Sequence, residues 1–413
     1  MSRSYKSVAR SFEWWLTHRA LPLSGKPHAG PNGNRKSKAP IDLTKIERVL
    51  VVRLDEIGDV VLTTPFLREL RANLPNASIT LLVKPDIRNL VELCPYVSEV
   101  ITYQPPASKY WRSIQATSLA KRLARSHFLA RQFDIAIVPR WDADSYYASM
   151  VTYLSGASTR VTYSEHVAQE KRRSNVGLDR LFTHVLNLAE QKHEVERNLD
   201  LIHFLRGEVA DDRLEIWIGD EDEAFAEQFL RDHGVGPRDS IVTMAIGARY
   251  PRRVWPLARY VELGSWFKRN CDGFIVIIGN EDERHLGDEM SRVLGKRVLN
   301  SAGKTTLRQA TALLKRSSLF VGNDTGPMHL AAAVNCPVIE ISCHPEGGST
   351  GHPNSPTRFG PWGVPHAILQ PRTSLDSCFN ACDSDKAHCI TGVPVSRVAE
   401  VFSKLFNNRS QVA

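Results

Sequence analysis

The chain has 413 residues, 42% of them apolar and 24% charged, the profile of a globular protein with room for two cores rather than a disordered or fibrous one. No stretch reaches the roughly 18 apolar residues of a membrane-spanning helix. Of the formal charge of +8, residues 1–40 hold +7 and the remaining body only +1, which argues against a nucleic-acid-binding domain with a basic face.

In chain order, Tyr5, Val8, Phe12, Trp15 and Leu16 recur at helical spacing among basic residues. The pattern suits an amphipathic helix lying on an anionic membrane surface, or one docked on its own domain. Residues 22–40 are rich in Pro, Gly, Asn and Lys, a linker composition. With no apolar leader segment and seven cysteines, an odd number, the expected setting is the reducing cytoplasm, peripheral at most to the membrane.

From residue 46 the texture changes. Buried-strand runs at 48–54, 79–83, 99–103 and 133–139 alternate with helical patterns, and the rhythm restarts with strands at 214–218, 241–246, 274–279, 297–299, 319–321 and 338–342. Helices are expected at 257–269, 281–294, 306–316 and 326–334. Alternation of this kind predicts an α/β fold of two doubly wound domains, 46–212 and 213–413, behind an extension at 1–45. No sequence repeat relates the halves. Ligands of such sheets bind beyond the carboxyl ends of the strands, so the loops that follow strands are the candidate sites.

The first such loop, within RLDEIGDVVLTTP at 53–65, gathers Arg53, Asp55, Glu56, Gly58 and Asp59. Carboxylates this dense are costly unless paired or used. Asp59 can act as a general base or as a helix cap; the residues alone do not choose. The loop at 247–256 offers Arg249 and Arg253 to phosphate. Glu281, just past a strand, suits ribose hydroxyls or a helix start. The turn VGNDTGPMHLAAA at 321–333 places Asp324, Thr325 and Gly326 at the start of an apolar helix that also carries His329, and such a start is an anion site. The fingerprint GxGxxG is absent, against a nicotinamide-dependent oxidoreductase. Cys378, Cys382, His388 and Cys389 hint at zinc, but a paired C-x2-C is missing and His388 adjoins Cys389. A packed thiol cluster or a local disulfide is the expectation there, with no metal.

The first and last of these motifs, with KHEVERNLDLI at 192–202 between them, resemble glycosyltransferase family 9, the lipopolysaccharide heptosyltransferases and their relatives, over about residues 46–405. The resemblance implies a GT-B fold with the acceptor on the first domain and a nucleotide sugar on the second. It implies inverting, metal-independent transfer with no cofactor, the ADP-sugar being a substrate and a glycolipid or oligosaccharide the acceptor. Asp59 would then be the base, Asp324 the ligand of donor-sugar hydroxyls, and Thr325 and Gly326 the diphosphate cradle beside His329. Arg253 stands where the family often has Lys, and Glu281 matches the region that meets the nucleoside. Arg53, Asp55, Glu56, Gly58 and Arg249 are candidate substrate contacts; where familiar members carry small hydroxyl residues this chain has Asp55 and Glu56, and this departure implies an acceptor or donor sugar unlike the familiar pair. The alternatives are another nucleotide sugar or acceptor, or a catalytically silent binding protein on the same fold.

Overall fold

The computed structural model describes residues 40–106, 112–128, 130–352, 354–375, 378 and 384–409. The N-terminal basic segment at 1–39 and Cys382 lie outside the described residues.

Two six-stranded parallel sheets carry the fold. The first contains β1 (Arg48–Val52), β2 (Ser78–Val83), β3 (Glu99–Thr102), β4 (Ile135–Val138), β5 (Thr159–Tyr163) and β6 (His184–Leu186), in the order β3-β2-β1-β4-β5-β6. The second contains β7 (Ile241–Ala245), β8 (Phe274–Ile278), β9 (Val298–Asn300), β10 (Leu319–Asn323), β11 (Val338–Ile341) and β12 (His366–Leu369), in the order β12-β11-β10-β7-β8-β9. Counted from its own first strand, each sheet runs 3-2-1-4-5-6, the doubly wound order of dinucleotide-binding folds. The central strands read as continuous apolar runs because helices cover both faces; Val49 to Val51 and Ile275 to Ile277 are fully buried. This is the expected GT-B architecture, the same winding used twice without a shared sequence.

Order reverses between β1 and β4 in the first sheet and between β7 and β10 in the second. Four loops therefore lead from the switch points: those after β1, β4, β7 and β10. One apolar cluster runs through both halves, joining Val61, Phe66 and Val195 to Leu313, Met328 and Leu330, so the sheets share part of their core.

Two local expectations are corrected. Residues 214–218 form no strand. Leu214 is buried and Ile216, Trp217 and Ile218 rest on the core, but the segment joins no ladder. Its backbone is held instead by side chains, with Arg68 donating to the Arg213 carbonyl (3.0 Å) and Thr64 Oγ1 accepting from Glu215 N (3.1 Å). Apolar alternation reported burial there, not pairing. The loop expected through Asp59 is already helical, Ile57–Val61, and breaks at Leu62 and Thr63 before a second helix, Thr64–Asn73. Strands β5, β6 and β12, three to five residues long, went unread because their sequences carry little apolar signal.

Candidate active site

Arg53, the residue after β1, is 1% exposed. Its guanidinium donates to the Pro139 carbonyl beyond β4 and to the Asp59 carbonyl (3.3 Å), and faces the carboxylates of Asp55 (3.1 Å) and Asp59 (3.6 Å). It ties the loops of one switch point together. Asp55 is equally buried, with one oxygen on Arg53 and the other on Arg140. Two arginines satisfying one buried carboxylate make Asp55 a residue that positions the loop.

Asp59 sits in the first turn of helix Ile57–Val61, where its Oδ2 accepts from Glu56 N (3.3 Å). It thus has the capping contact and the active-site placement at once, since its side chain keeps 24% exposure. Burial lifts its pKa above the usual carboxylate range; Arg53 opposes this, and Glu194 and Asp142 add to it. A carboxylate whose pKa is raised and whose side chain is still open to solvent suits a general base.

Glu56 is taken from three sides. Lys84 Nζ lies 3.0 Å away, and Tyr146 Oη and Arg249 Nη1 also donate to it. Burial alone would raise its pKa, but the hydrogen bonds from Tyr146 and Lys84 outweigh burial and hold it low. Arg249, which follows β7, crosses to the first sheet by this contact.

On the facing sheet, Arg253 approaches Asp324 Oδ2 (3.5 Å) and donates to Asn354 Oδ1. The Tyr250 ring lies under the guanidinium of Arg252 at 4.5 Å and near that of Arg253 at 5.6 Å. Asn323, the last residue of β10, holds the arginine loop: its Oδ1 accepts from Trp255 N (3.0 Å) and its Nδ2 donates to the Gly247 carbonyl (3.0 Å). Asp324 is buried, and burial raises its pKa against the pull of Arg253. Thr325 takes the cap position of helix Gly326–Ala333 with extended backbone, but its hydroxyl points back to the Asn323 carbonyl (3.2 Å) and no side chain caps the helix. Pro327 has no N–H and Met328 N donates to the Thr325 carbonyl (3.1 Å), so the Gly326 N–H and the positive end of the helix are what the start offers a ligand.

Two glycines let the sheets meet. A Cβ on Gly58 would stand 2.5 Å from His329 Cδ2, and one on Gly326 would stand 2.9 Å from Ile57 Cβ. Helix Ile57–Val61, which carries Asp59, therefore lies directly on helix Gly326–Ala333, with Ile57 at its start. The His329 imidazole is buried, Nδ1 has no partner among the described residues, and burial with the nearby charges of His193 and Arg253 pushes its pKa down to about 3. It is a neutral ring at working pH. Glu281 stands further out, one strand over after β8, exposed and paired with Arg284 (3.2 Å); no contact joins it to Arg253 or Asp324 among the described residues.

Sequence reasoning missed the middle of the site. Glu194 and Arg197 come from the 192–202 motif, and Asp142 follows β4. Arg358, from the segment between β11 and β12, reaches across to Asp142 (2.6 Å) and Glu194 (2.7 Å), while Arg197 also grips Glu194 (2.6 Å) and lies 3.7 Å over the Trp141 ring. From the same helix, Asn198 Nδ2 donates to the Leu62 carbonyl (2.9 Å) at the end of the Asp59 helix. The motif carried no chemical role in the sequence because Glu194, beside its local partner Arg197, meets Arg358 from 164 positions away. Glu340, buried on β11 with Oε2 unpartnered among the described residues, was likewise invisible.

Residues 118–387 match the family described as glycosyltransferase family 9 (heptosyltransferase), a span well over half of the chain and inclusive of the arginine loop and the helix start. The chain belongs to glycosyltransferase family 9. Its activity is accordingly that of a glycosyltransferase of the heptosyl-transfer type. The chain is 24% identical over 302 residues to lipopolysaccharide heptosyltransferase 3 of Escherichia coli K12, covering 71% of this chain and 80% of that one. Among solved structures it is similar to a family 9 glycosyltransferase from Veillonella parvula (21% identity, TM-score 0.72, 88% of this chain and 98% of that one). It is also similar to the E. coli ADP-heptose lipopolysaccharide heptosyltransferase II (20% identity, TM-score 0.64, 88% and 99%). No helix among the described residues of this family 9 chain is long and apolar enough to cross a membrane.

Proposed function

We propose that this family 9 enzyme transfers a sugar, heptose from ADP-heptose, to a hydroxyl of a lipopolysaccharide core or related glycan with inversion. The observation that carries the proposal is the packing of the Asp59-bearing helix Ile57–Val61 on helix Gly326–Ala333, whose start no side chain caps, with Gly58 against His329 and Gly326 against Ile57. The names of the relatives supply the ADP-sugar and the acceptor class.

In this mechanism Asp59 takes the proton of the acceptor hydroxyl as that oxygen attacks the anomeric carbon. The bond from that carbon to the diphosphate oxygen breaks on the opposite face, so the new linkage has inverted configuration. The departing diphosphate gathers negative charge, which Arg253 and the N–H groups around Thr325 and Gly326 meet with fixed positive charge. No step is routed through a metal or a cofactor. Asp324 accepts from donor-sugar hydroxyls, and His329, being neutral, adds a dipole rather than a charge. Glu281 serves the nucleoside. Glu56, Lys84, Tyr146 and Arg249 lie at the acceptor side, where this chain differs from members with small hydroxyls.

A thermal-shift screen of nucleoside diphosphates and nucleotide sugars tests the donor. ADP and ADP-heptose are expected to raise stability by about 2.7 kcal/mol at one hundred times their dissociation constant, with UDP and GDP counterparts weaker. A uridine or guanosine preference would overturn the ADP-sugar assignment. ADP binding without turnover on any core acceptor would instead favour the silent binding protein.

The basic aromatic segment at the N-terminus is the proposed membrane tether, holding the enzyme where a glycolipid acceptor resides. Cosedimentation with vesicles containing anionic lipid should fall on deleting residues 1–40 and fall likewise in high salt. Equal binding of the shortened chain would rule out a tether.

A further inference from the structure

In sequence His388 adjoins Cys389 and a paired C-x2-C is missing, both against a metal at the C-terminal cysteines. In the structure three donors nevertheless converge. The His388 ring turns back on its own chain, so that Nδ1 accepts from Cys389 N (2.7 Å) and lies 3.0 Å from Cys389 Sγ and 3.8 Å from Cys378 Sγ. One ligand atom from each of Cys378, His388 and Cys389 lies within 4.8 Å of the others. Nδ1 has one lone pair, so a cation bound there would take the place of the Cys389 N–H. With metal–sulfur bonds of about 2.3 Å and metal–nitrogen bonds of about 2.0 Å, a tetrahedral site needs donor atoms roughly 3.5–3.8 Å apart. The 3.8 Å separation from Cys378 Sγ fits that range, and the 3.0 Å separation from Cys389 Sγ is shorter. Both cysteines are buried, at 5% and 8% exposure, which shields thiolates from solvent.

We propose that Cys378, His388 and Cys389 form a structural site for a thiolate-binding divalent cation, Zn2+, separate from the transfer chemistry. Two thiolates and one imidazole are the mixed donor set that such an ion prefers, and the fourth position falls to water or a further side chain. The site would staple the segment that carries helical turn Cys389–Gly392. The next residue, Val393, supplies the carbonyl that accepts from Trp255 Nε1 (3.0 Å) and from Arg259. Trp255 is in turn the residue whose backbone Asn323 holds beside Asp324. The cation would therefore brace the arginine loop from behind.

The test uses the full chain purified without chelator. Elemental analysis should find about one Zn2+ per chain. After removal with a chelator, added Zn2+ alone should rebind stoichiometrically and restore the lost melting temperature. Co2+ in its place should give the charge-transfer absorption of a thiolate ligand, a readout that needs no variant. Cys378→Ser and Cys389→Ser should lose the metal, and Cys271→Ser should keep it. Absence of Zn2+ together with no uptake by the chelated chain would overturn the proposal. So would an intact mass showing the cysteines joined as a disulfide in the reduced-handled protein, or Co2+ uptake without the thiolate band.

Discussion

Asp59→Asn is expected to slow sugar transfer by about 10²–10⁴-fold while nucleotide binding stays near that of the parent, as for loss of a positioned general base. The substitution is nearly isosteric, and the amide oxygen can still accept from Glu56 N, so the turn of helix Ile57–Val61 should survive. What is lost is the ability to take a proton. The pH profile separates a base from a merely structural group. The base works ionised, so the rate rises with pH through the folded pKa of Asp59. Burial first, and then Glu194 and Asp142, lift that pKa above the ordinary carboxylate value, which places the acid limb of the parent enzyme above the range of an exposed aspartate. The residual activity of the asparagine variant should show no such limb. Transfer at close to the parent rate, or an unchanged acid limb, would remove Asp59 from the role.

Arg358→Ala is expected to cost about 3–5 kcal/mol of stability, the scale of stranding buried charges by deleting their partner. Arg358 is 1% exposed and is the residue of the second sheet that holds Asp142 and Glu194 of the first. Arg197 would remain on Glu194, but Asp142 would lose a hydrogen-bonded partner. Urea unfolding measures the loss. A drop of less than about 1 kcal/mol would mean that water or Arg140 replaces the guanidinium. In a variant that still folds, the acid limb of the rate should move further up. Asp142 and Glu194 then press on Asp59 with less compensation.

The α/β class and most central strands could be read directly from the chain. Runs such as Val49 to Val52 and Ile275 to Ile278 are apolar without alternation, and only a strand covered on both faces asks for that. The turn from Asn323 to Gly326 was legible too, because it carries its own turn chemistry. What could not be read was the partner of each charge. Asp55 and Asp59 look alike in sequence, yet Asp55 is saturated by Arg53 and Arg140 while Asp59 keeps an open edge. That difference depends on Arg140, 85 positions beyond Asp55. Glu194, Arg197 and Arg358 were hidden for the same reason. Segment 214–218 shows the converse: its alternation is real burial, but a ladder needs a neighbouring strand that no local pattern can supply. The glycine signal was only half read. Gly58 lies within helix Ile57–Val61 rather than at a tight turn, and what its missing side chain admits is the His329 ring.

That last contact bears on the fate of the donor. A glycosyl carbon poised to leave a diphosphate can be attacked by water as readily as by an alcohol, and an enzyme that lets solvent in would spend its nucleotide sugar without making a linkage. Backbone laid on imidazole at Gly58, and Ile57 laid on Gly326, leave no thickness for a hydration layer between the two helices at those contacts. Asp59 itself keeps an open edge, so in the proposed mechanism it is the acceptor, once seated over that edge, that completes the seal against water.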